Sequence, residues 1–198
     1  MRDKYGFGQD PYCYPNSDVL VNKLNIDDED TLATAEIEFS TLRYKSYRSF
    51  TRDLREFTLQ HLQSLHWHLF QDVYDWAGKV RTIDIAKGGT RFCTASRIKA
   101  EATRLFDQIP MLEHVESHEC IVRNVASLYC EINLLHPFRE GNGRAQRFFF
   151  EEMLFVLGYD VLWPEISQQE WIEANVAGVN LDLRPFVEIF SQAIRLKA

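Results

Sequence analysis

Apolar residues recur every three or four positions along most of this chain, the period of one face of an α-helix. The strongest run predicts a helix over roughly 56–76, where Leu59, Leu62, His66, Leu69, Val73 and Trp76 share a face and Gly78 is placed to end it. Upstream, Asp27-Asp28-Glu29-Asp30 suits a first helical turn, because carboxylates complement the dipole there. Leu32, Ala35, Phe39 and Leu42 follow at helical spacing. The same period returns from Ser96 to Leu112 and over 119–134, through Ile121, Val122, Val125, Tyr129 and Ile132. It returns again from Phe148 to Leu157, where Gly158 takes the C′ position. Ser167-Gln168-Gln169-Glu170 has the form of a capping box, and Asp182 with Pro185 in the first turn opens a last helix.

One stretch changes period. Val80, Ile83 and Ile85 lead to Lys87-Gly88-Gly89-Thr90 and then Phe92, which predicts a β-hairpin around a Gly-Gly turn. Residues 1–16, with Gly6, Gly8, Pro11, Pro15 and Asn16, read as an irregular arm. There is no internal repeat, low-complexity tract or linker. The expected fold is all-α, a single domain over 1–198 with one hairpin. Residues 1–54 would form the arm and first helices, and 55–198 the core with the hairpin at about 80–93.

Composition narrows the function classes. Apolar residues make up 45% and charged residues 26%, ordinary for a soluble globular protein. The formal net charge of -7 argues against nucleic acid or an anionic membrane as a direct partner. No apolar signal-peptide core opens the chain, and no window reaches the length of a membrane span. Cys13, Cys93, Cys120 and Cys130 lie far apart, the pattern of reduced thiols in a cytoplasmic protein. His114, His118 and Cys120 lack a second cluster to complete a zinc site. His66 is read as a packed histidine, and Phe148-Phe149-Phe150 as core.

Against the acidic background, one run concentrates chemistry: His136-Pro137-Phe138-Arg139-Glu140-Gly141-Asn142-Gly143-Arg144-Ala145-Gln146-Arg147. It lies between two apolar helices, so it is a loop feeding a helix N-terminus. Gly141 and Gly143 let backbone approach a ligand closely. The free N–H groups at the start of the next helix form an anion site. Arg144 and Arg147, three apart, share a helix face, and their guanidinium forks match phosphate oxygens. Glu140 is an oxygen ligand beside that cradle, suited to magnesium carried with phosphates. His136 has a pKa suited to accepting a hydroxyl proton near neutrality. Phe138 is placed to anchor the loop. An isolated Gly-Asn-Gly or loop histidine is most often structural; the conjunction of all these in one segment is what carries the reading.

The run resembles the Fic-domain signature, His-Pro-Phe-x-(Asp/Glu)-Gly-Asn-Gly-Arg-x-x-Arg, with every defined position matched. The stretch from Asp75 to Phe92 resembles the Fic flap, a hairpin over the active site. The opening, Asp10-Pro11-Tyr12, and the helix with Leu42-Arg43 are similar to short bacterial Fic toxins of toxin–antitoxin pairs. The resemblance implies a helical fold and transfer of AMP from ATP to a protein hydroxyl, with Mg2+. It implies His136 as general base and Glu140 as the metal ligand. The backbone of Gly141 and Gly143 and the side chain of Asn142 would cradle phosphates, with Arg144 near the β-phosphate and Arg147 on the γ-phosphate. Lys87, Gly88, Gly89 and Thr90 would form the flap tip, near the nucleotide and the docked target.

Many Fic proteins carry an inhibitory helix, Ser/Thr-x-x-x-Glu-(Gly/Asn), whose glutamate pairs with the second motif arginine. That pattern is missing here: the only Glu followed by Gly or Asn is Glu140, inside the motif. The expectation is a separate small antitoxin supplying the glutamate to Arg147, and the toxin branch implies DNA gyrase and topoisomerase IV as targets. The alternatives are a Doc-like kinase transferring the γ-phosphate and a catalytically silent binding module. The kinase branch has Lys where this chain has Gly143, and an intact His136 with a complete cradle speaks against the silent module.

Overall fold

The computed structural model describes residues 10–49, 51–87 and 89–197. Within them lie α1 (Glu29–Ser46), α2 (Leu59–Phe70), α3 (Ile98–Phe106), α4 (His118–Leu135), α5 (Asn142–Val156), α6 (Gln168–Val179) and α7 (Arg184–Ala193). The architecture is all-α with a hairpin, as the periodicity predicts. Sequence-local signals start several of these helices. Asp28 caps α1 by accepting from Thr31 N, with Glu29 and Asp30 in the first turn. Ser117 caps α4 through Cys120 N, and Ser167 with Glu170 closes a reciprocal capping box on α6.

α5 runs through the middle of the core. Phe149 and Phe150 are fully buried and Phe148 nearly so, against α2 and α4, while α7 closes on α4 from the other side. Each buried phenylalanine stabilises the fold by roughly 1.5–3 kcal/mol. Phe138 is also fully buried, which fixes the loop between α4 and α5 to the centre of the molecule. The phenylalanine run and His66, which is 0% exposed, are packed as the sequence suggests.

Four details depart from the sequence pattern. α2 stops at Phe70, and 71–78 form turns that bury Val73 and Tyr74 without continuing the helix. Gly78 therefore ends no helix. Its φ is +74°, and a Cβ there would lie 2.8 Å from Trp67 Cβ, so it lets the turn fold back on α2. α1 turns Leu32, Glu36 and Ser40 inward while Leu42 is 64% exposed, because Glu36 and Ser40 meet Arg144. The 96–112 stretch is α3 followed by a 3-10 turn at Ile109–His114, where Pro110 has no N–H for an α-helical bond.

The described residues form two antiparallel two-stranded sheets. The expected hairpin is β1 (Ala86–Lys87) and β2 (Thr90–Arg91), paired Ala86 with Arg91 and Lys87 with Thr90. Its strands are short because the stem bonds elsewhere: Arg81 N donates to Pro137 O at 2.8 Å and Cys93 N to Leu134 O at 2.9 Å. The stem thus pairs with the α4–α5 connection. The second sheet, β3 (Tyr159–Val161) with β4 (Ile194–Leu196), gave no signal, since three residues per strand are too few for alternation to register. All four cysteines are free thiols, and among the described residues no helix is long and apolar enough to cross a membrane.

Candidate active site

α4 ends at Leu135, and His136 takes the C-cap position in the left-handed region, φ +43° and ψ +62°. That conformation resists a side chain, and it turns the loop away from α4 toward α5. The His136 ring is half-buried and fixed on two sides. Nδ1 lies 3.1 Å from the carbonyl of Asn133, which can only accept, so Nδ1 carries the proton. Phe92, from the hairpin stem, stacks on the ring at 3.8 Å between centroids and 14° between planes. Burial lowers the imidazole pKa from 6.5 to about 4, a cost the Asn133 bond only partly offsets. A neutral ring protonated at Nδ1 leaves Nε2 with its lone pair, the form a general base requires.

The loop beyond His136 is tied down residue by residue. Asn142 spans it internally: Oδ1 accepts from Phe138 N and Nδ2 donates to Phe138 O, each at 2.8 Å. The side chain is buried and bridges both backbone groups of Phe138, so it closes the loop. His66 accepts from Gly78 N at Nδ1 (2.9 Å), so Nε2 donates to Glu140 O, also at 2.9 Å. Stacked on Phe138 at 3.8 Å, His66 is held neutral by burial, its pKa pushed down to about 3. Arg139, 2% exposed, pairs with Asp10 at 2.7 Å and so fastens the N-terminal arm to the same loop.

The two motif glycines differ in kind. At Gly141 the fold itself demands glycine: φ is +78°, and a Cβ would meet the Phe70 ring at 2.5 Å. At Gly143 a Cβ would meet nothing within 4 Å. The protein leaves that space open above the first turn of α5. The amides of Asn142, Gly143 and Arg144 precede the first intrahelical bond, from Ala145 N to Gly141 O at 3.1 Å. Helix-N-terminal amides with no intrahelical acceptor, beside open space, can take an anion.

Arg144 and Arg147 share one face of α5, as expected. Arg144 is held from behind: it pairs with Glu36 at 2.5 Å and lies over the Phe70 ring at 4.6 Å. Glu36 also accepts from Tyr74 Oη, so a buried carboxylate on α1 orients the arginine. Arg147 lies 5.6 Å over the Trp171 ring, and among the described residues no carboxylate pairs with it. Glu140 Oε1 accepts from Gly141 N at 3.0 Å, beside the cradle. A single carboxylate next to helix-N-terminal amides fits Mg2+ carried in with a phosphate ligand, since that ion takes most of its ligands from phosphate and water. Lys87, Gly89 and Thr90 sit at the hairpin turn, with Gly89 at φ +81°; Gly88 lies outside the described residues.

Sequence reasoning missed Glu36, Tyr74 and Arg81. Glu36 lies on α1 and Tyr74 in the turns after α2, and a buried pair so far apart in sequence leaves no periodic trace. Nothing in the sequence around Arg81 marks it as buried, although it is 2% exposed.

One loop–helix junction thus brings together an imidazole, a carboxylate and two arginines beside the hairpin, an arrangement that can hold a phosphate-bearing ligand. Residues 56–154 match the model of the Fic/DOC family. A relative in Salmonella typhimurium, named "Probable protein adenylyltransferase Fic", is 40% identical over 198 residues, covering 98% of this chain and 96% of that protein. One of the same name in Escherichia coli is 39% identical with the same coverage. The chain belongs to the Fic/DOC family. It is also 35% identical to the protein adenylyltransferase VbhT of Bartonella schoenbuchensis over 87% of this chain and 36% of that longer protein. Among solved structures, the fold is shared with BepC of Bartonella tribocorum, determined with bound AMPPNP, at a TM-score of 0.87 and 22% identity, covering 94% of this chain and 97% of that one.

Proposed function

We propose that this protein is an adenylyltransferase that moves AMP from ATP to a hydroxyl side chain of another protein. The observation that carries the reading is the His136 ring, protonated at Nδ1 so that Nε2 keeps its lone pair, on the same short loop as open space at the start of α5. Relatives that align over nearly the whole chain bear the name adenylyltransferase. In this reading His136 Nε2 takes the proton of the incoming hydroxyl. The hydroxyl oxygen bonds to the α-phosphorus, the bond to the β-bridging oxygen breaks, and pyrophosphate leaves. The amides of α5 and the guanidinium groups of Arg144 and Arg147 bear the phosphate charge. Glu140 would hold Mg2+, which neutralises phosphate oxygens when bound. The test is AMP transfer by the full chain and by its His136→Ala variant: transfer is abolished while nucleotide binding persists.

The target docks along the hairpin, whose edge accepts an extended segment through main-chain hydrogen bonds, with Lys87 to Thr90 at the turn. DNA gyrase and topoisomerase IV are the first proteins to assay. Regulation comes from a separate small protein that places a glutamate on Arg147 and competes with the γ-phosphate for its guanidinium. Two observations support this: Arg147 has no carboxylate partner among the described residues, and it lines a cavity of about 200 Å³ with Arg144, Tyr44, Leu69, Phe148 and Glu151, whose carboxylate is already engaged by Tyr44 and Trp163. The protein is proposed to act in the cytoplasm, where its thiols stay reduced.

A further inference from the structure

We propose that Arg81 is a positioning residue for His136, a clamp that sets the direction of the imidazole and holds the hairpin stem against it. Its guanidinium is 2% exposed and lies among backbone carbonyls. Nε donates to His136 O at 2.8 Å and Nη2 to Leu135 O at 3.4 Å. Nη1 donates to Ile83 O at 2.5 Å, and Nη2 also reaches Cys93 O. The backbone adds Arg81 N to Pro137 O at 2.8 Å.

These acceptors fall into two sets. Leu135 and His136 stand at the C-terminus of α4, where carbonyls have no intrahelical partner and a cation complements the helix dipole. Ile83 and Cys93 lie on the outgoing and returning sides of the hairpin stem. One side chain therefore ties the helix that carries the base to the hairpin that covers it. Phe92, the ring stacked on His136, is the residue next to Cys93.

The link to the imidazole is geometric. His136 sits at φ +43°, a backbone conformation that residues with a Cβ seldom adopt, and surrounding contacts must enforce it. The Arg81 bond to the carbonyl of His136, with the Arg81 N–H on Pro137 O, fixes the two peptide planes that follow the ring. The ring direction, and with it the Nδ1 bond to Asn133, follows from that backbone. Lysine keeps the charge but cannot fork across four carbonyls.

The assignment deepens the proposed AMP transfer, and its primary readout does not depend on it. In the full chain, Arg81→Met and Arg81→Lys are compared with wild type by long-range nitrogen–proton NMR of the imidazoles, with His136→Ala to assign the His136 signals. Wild type is expected to show a single Nδ1-protonated tautomer at His136. In Arg81→Met the ring is expected to populate both tautomers, and in Arg81→Lys to a smaller extent. MgATP binding, measured by calorimetry, stays within a few-fold. Labelling of proteins in a bacterial extract from α-labelled ATP falls about a hundredfold in Arg81→Met, the scale of a reacting group displaced by about an ångström. A wild-type tautomer with undiminished labelling in Arg81→Met overturns the proposal. So does loss of cooperative unfolding in both variants, which would make Arg81 a support of the whole domain. Should wild type label nothing while the tautomer responds as expected, the AMP-transfer reading fails and the assignment of Arg81 stands.

Discussion

Phe92 lies flat against His136, 3.8 Å between ring centroids and 14° between planes, so the hairpin that covers the site also holds its base. The stack and the Nδ1 bond to Asn133 leave the imidazole one orientation. Phe92→Ala removes one wall of that arrangement. AMP transfer should fall by about ten- to a hundredfold, within the contribution of a positioned general base, with ATP affinity little changed. Initial rates at saturating ATP, beside a binding isotherm, check the separation.

The low pKa of His136, about 4, sets the acid limb of the reaction. The base is mostly unprotonated from about one pH unit above that value, so the rate should hold level from neutrality to about pH 5 and fall through about 4. An ordinary histidine would lose activity through about 6.5. A pH–rate profile of the nucleotide-free enzyme's kcat/KM distinguishes the two.

Stability should follow a related course. His66 and His136 have folded pKa values of about 3 and about 4, below the 6.5 they would have in an unfolded chain. Below about pH 6.5 the unfolded state takes up protons that the folded state refuses, so stability is fully present above that pH. It is lost progressively as the pH drops toward 4, by a few kcal/mol as an order of magnitude. Denaturant titrations at pH 7.5 and 5, with His66→Gln as the comparison, measure the slope.

The two motif glycines should part company on substitution. Gly141→Ala meets the Phe70 ring at 2.5 Å and a φ of +78°, and is expected to destabilise the fold by about 2–4 kcal/mol. Gly143→Ala meets open space, so its melting temperature should stay near wild type while ATP affinity drops, because the methyl group intrudes on the ligand's volume. Thermal melts and calorimetry on the pair test this.

Glu36 offers a probe of Arg144. Its carboxylate, buried on α1, binds the Arg144 guanidinium at 2.5 Å and the Tyr74 hydroxyl. Glu36→Ala should cost about 2 kcal/mol through lost charge-assisted bonds and weaken ATP binding through a mobile Arg144. Glu36→Gln, which keeps the shape, should recover part of each.

Much of this was legible in the sequence because the signals were local. Ser167 and Glu170 predict a capped helix and form one; Asp28 and the acidic turn do the same for α1. The motif loop, His136 to Arg147, could be read as an anion cradle because glycine, helix start and paired arginines are neighbours in sequence. What escaped depends on contacts distant along the chain. Arg81 reaches across 55 positions to His136, Glu36 across 108 to Arg144, and Asp10 across 129 to Arg139. The loop-closing bonds of Asn142 escaped for a related reason: the sequence shows an amide beside glycines, and only the fold shows that it bridges both backbone groups of Phe138. α2 ran long in the sequence because Val73 and Trp76 continue its period through turns that happen to pack inward.

The most direct measurement supplies the full chain and His136→Ala with ATP labelled at the α-phosphate, and in parallel with ATP labelled at the γ-phosphate, in a bacterial extract. Protein-bound label is expected from the α-position alone, lost in His136→Ala while that variant still binds MgATP. Label arriving from the γ-position, or α-label undiminished in His136→Ala, would contradict the proposed AMP transfer.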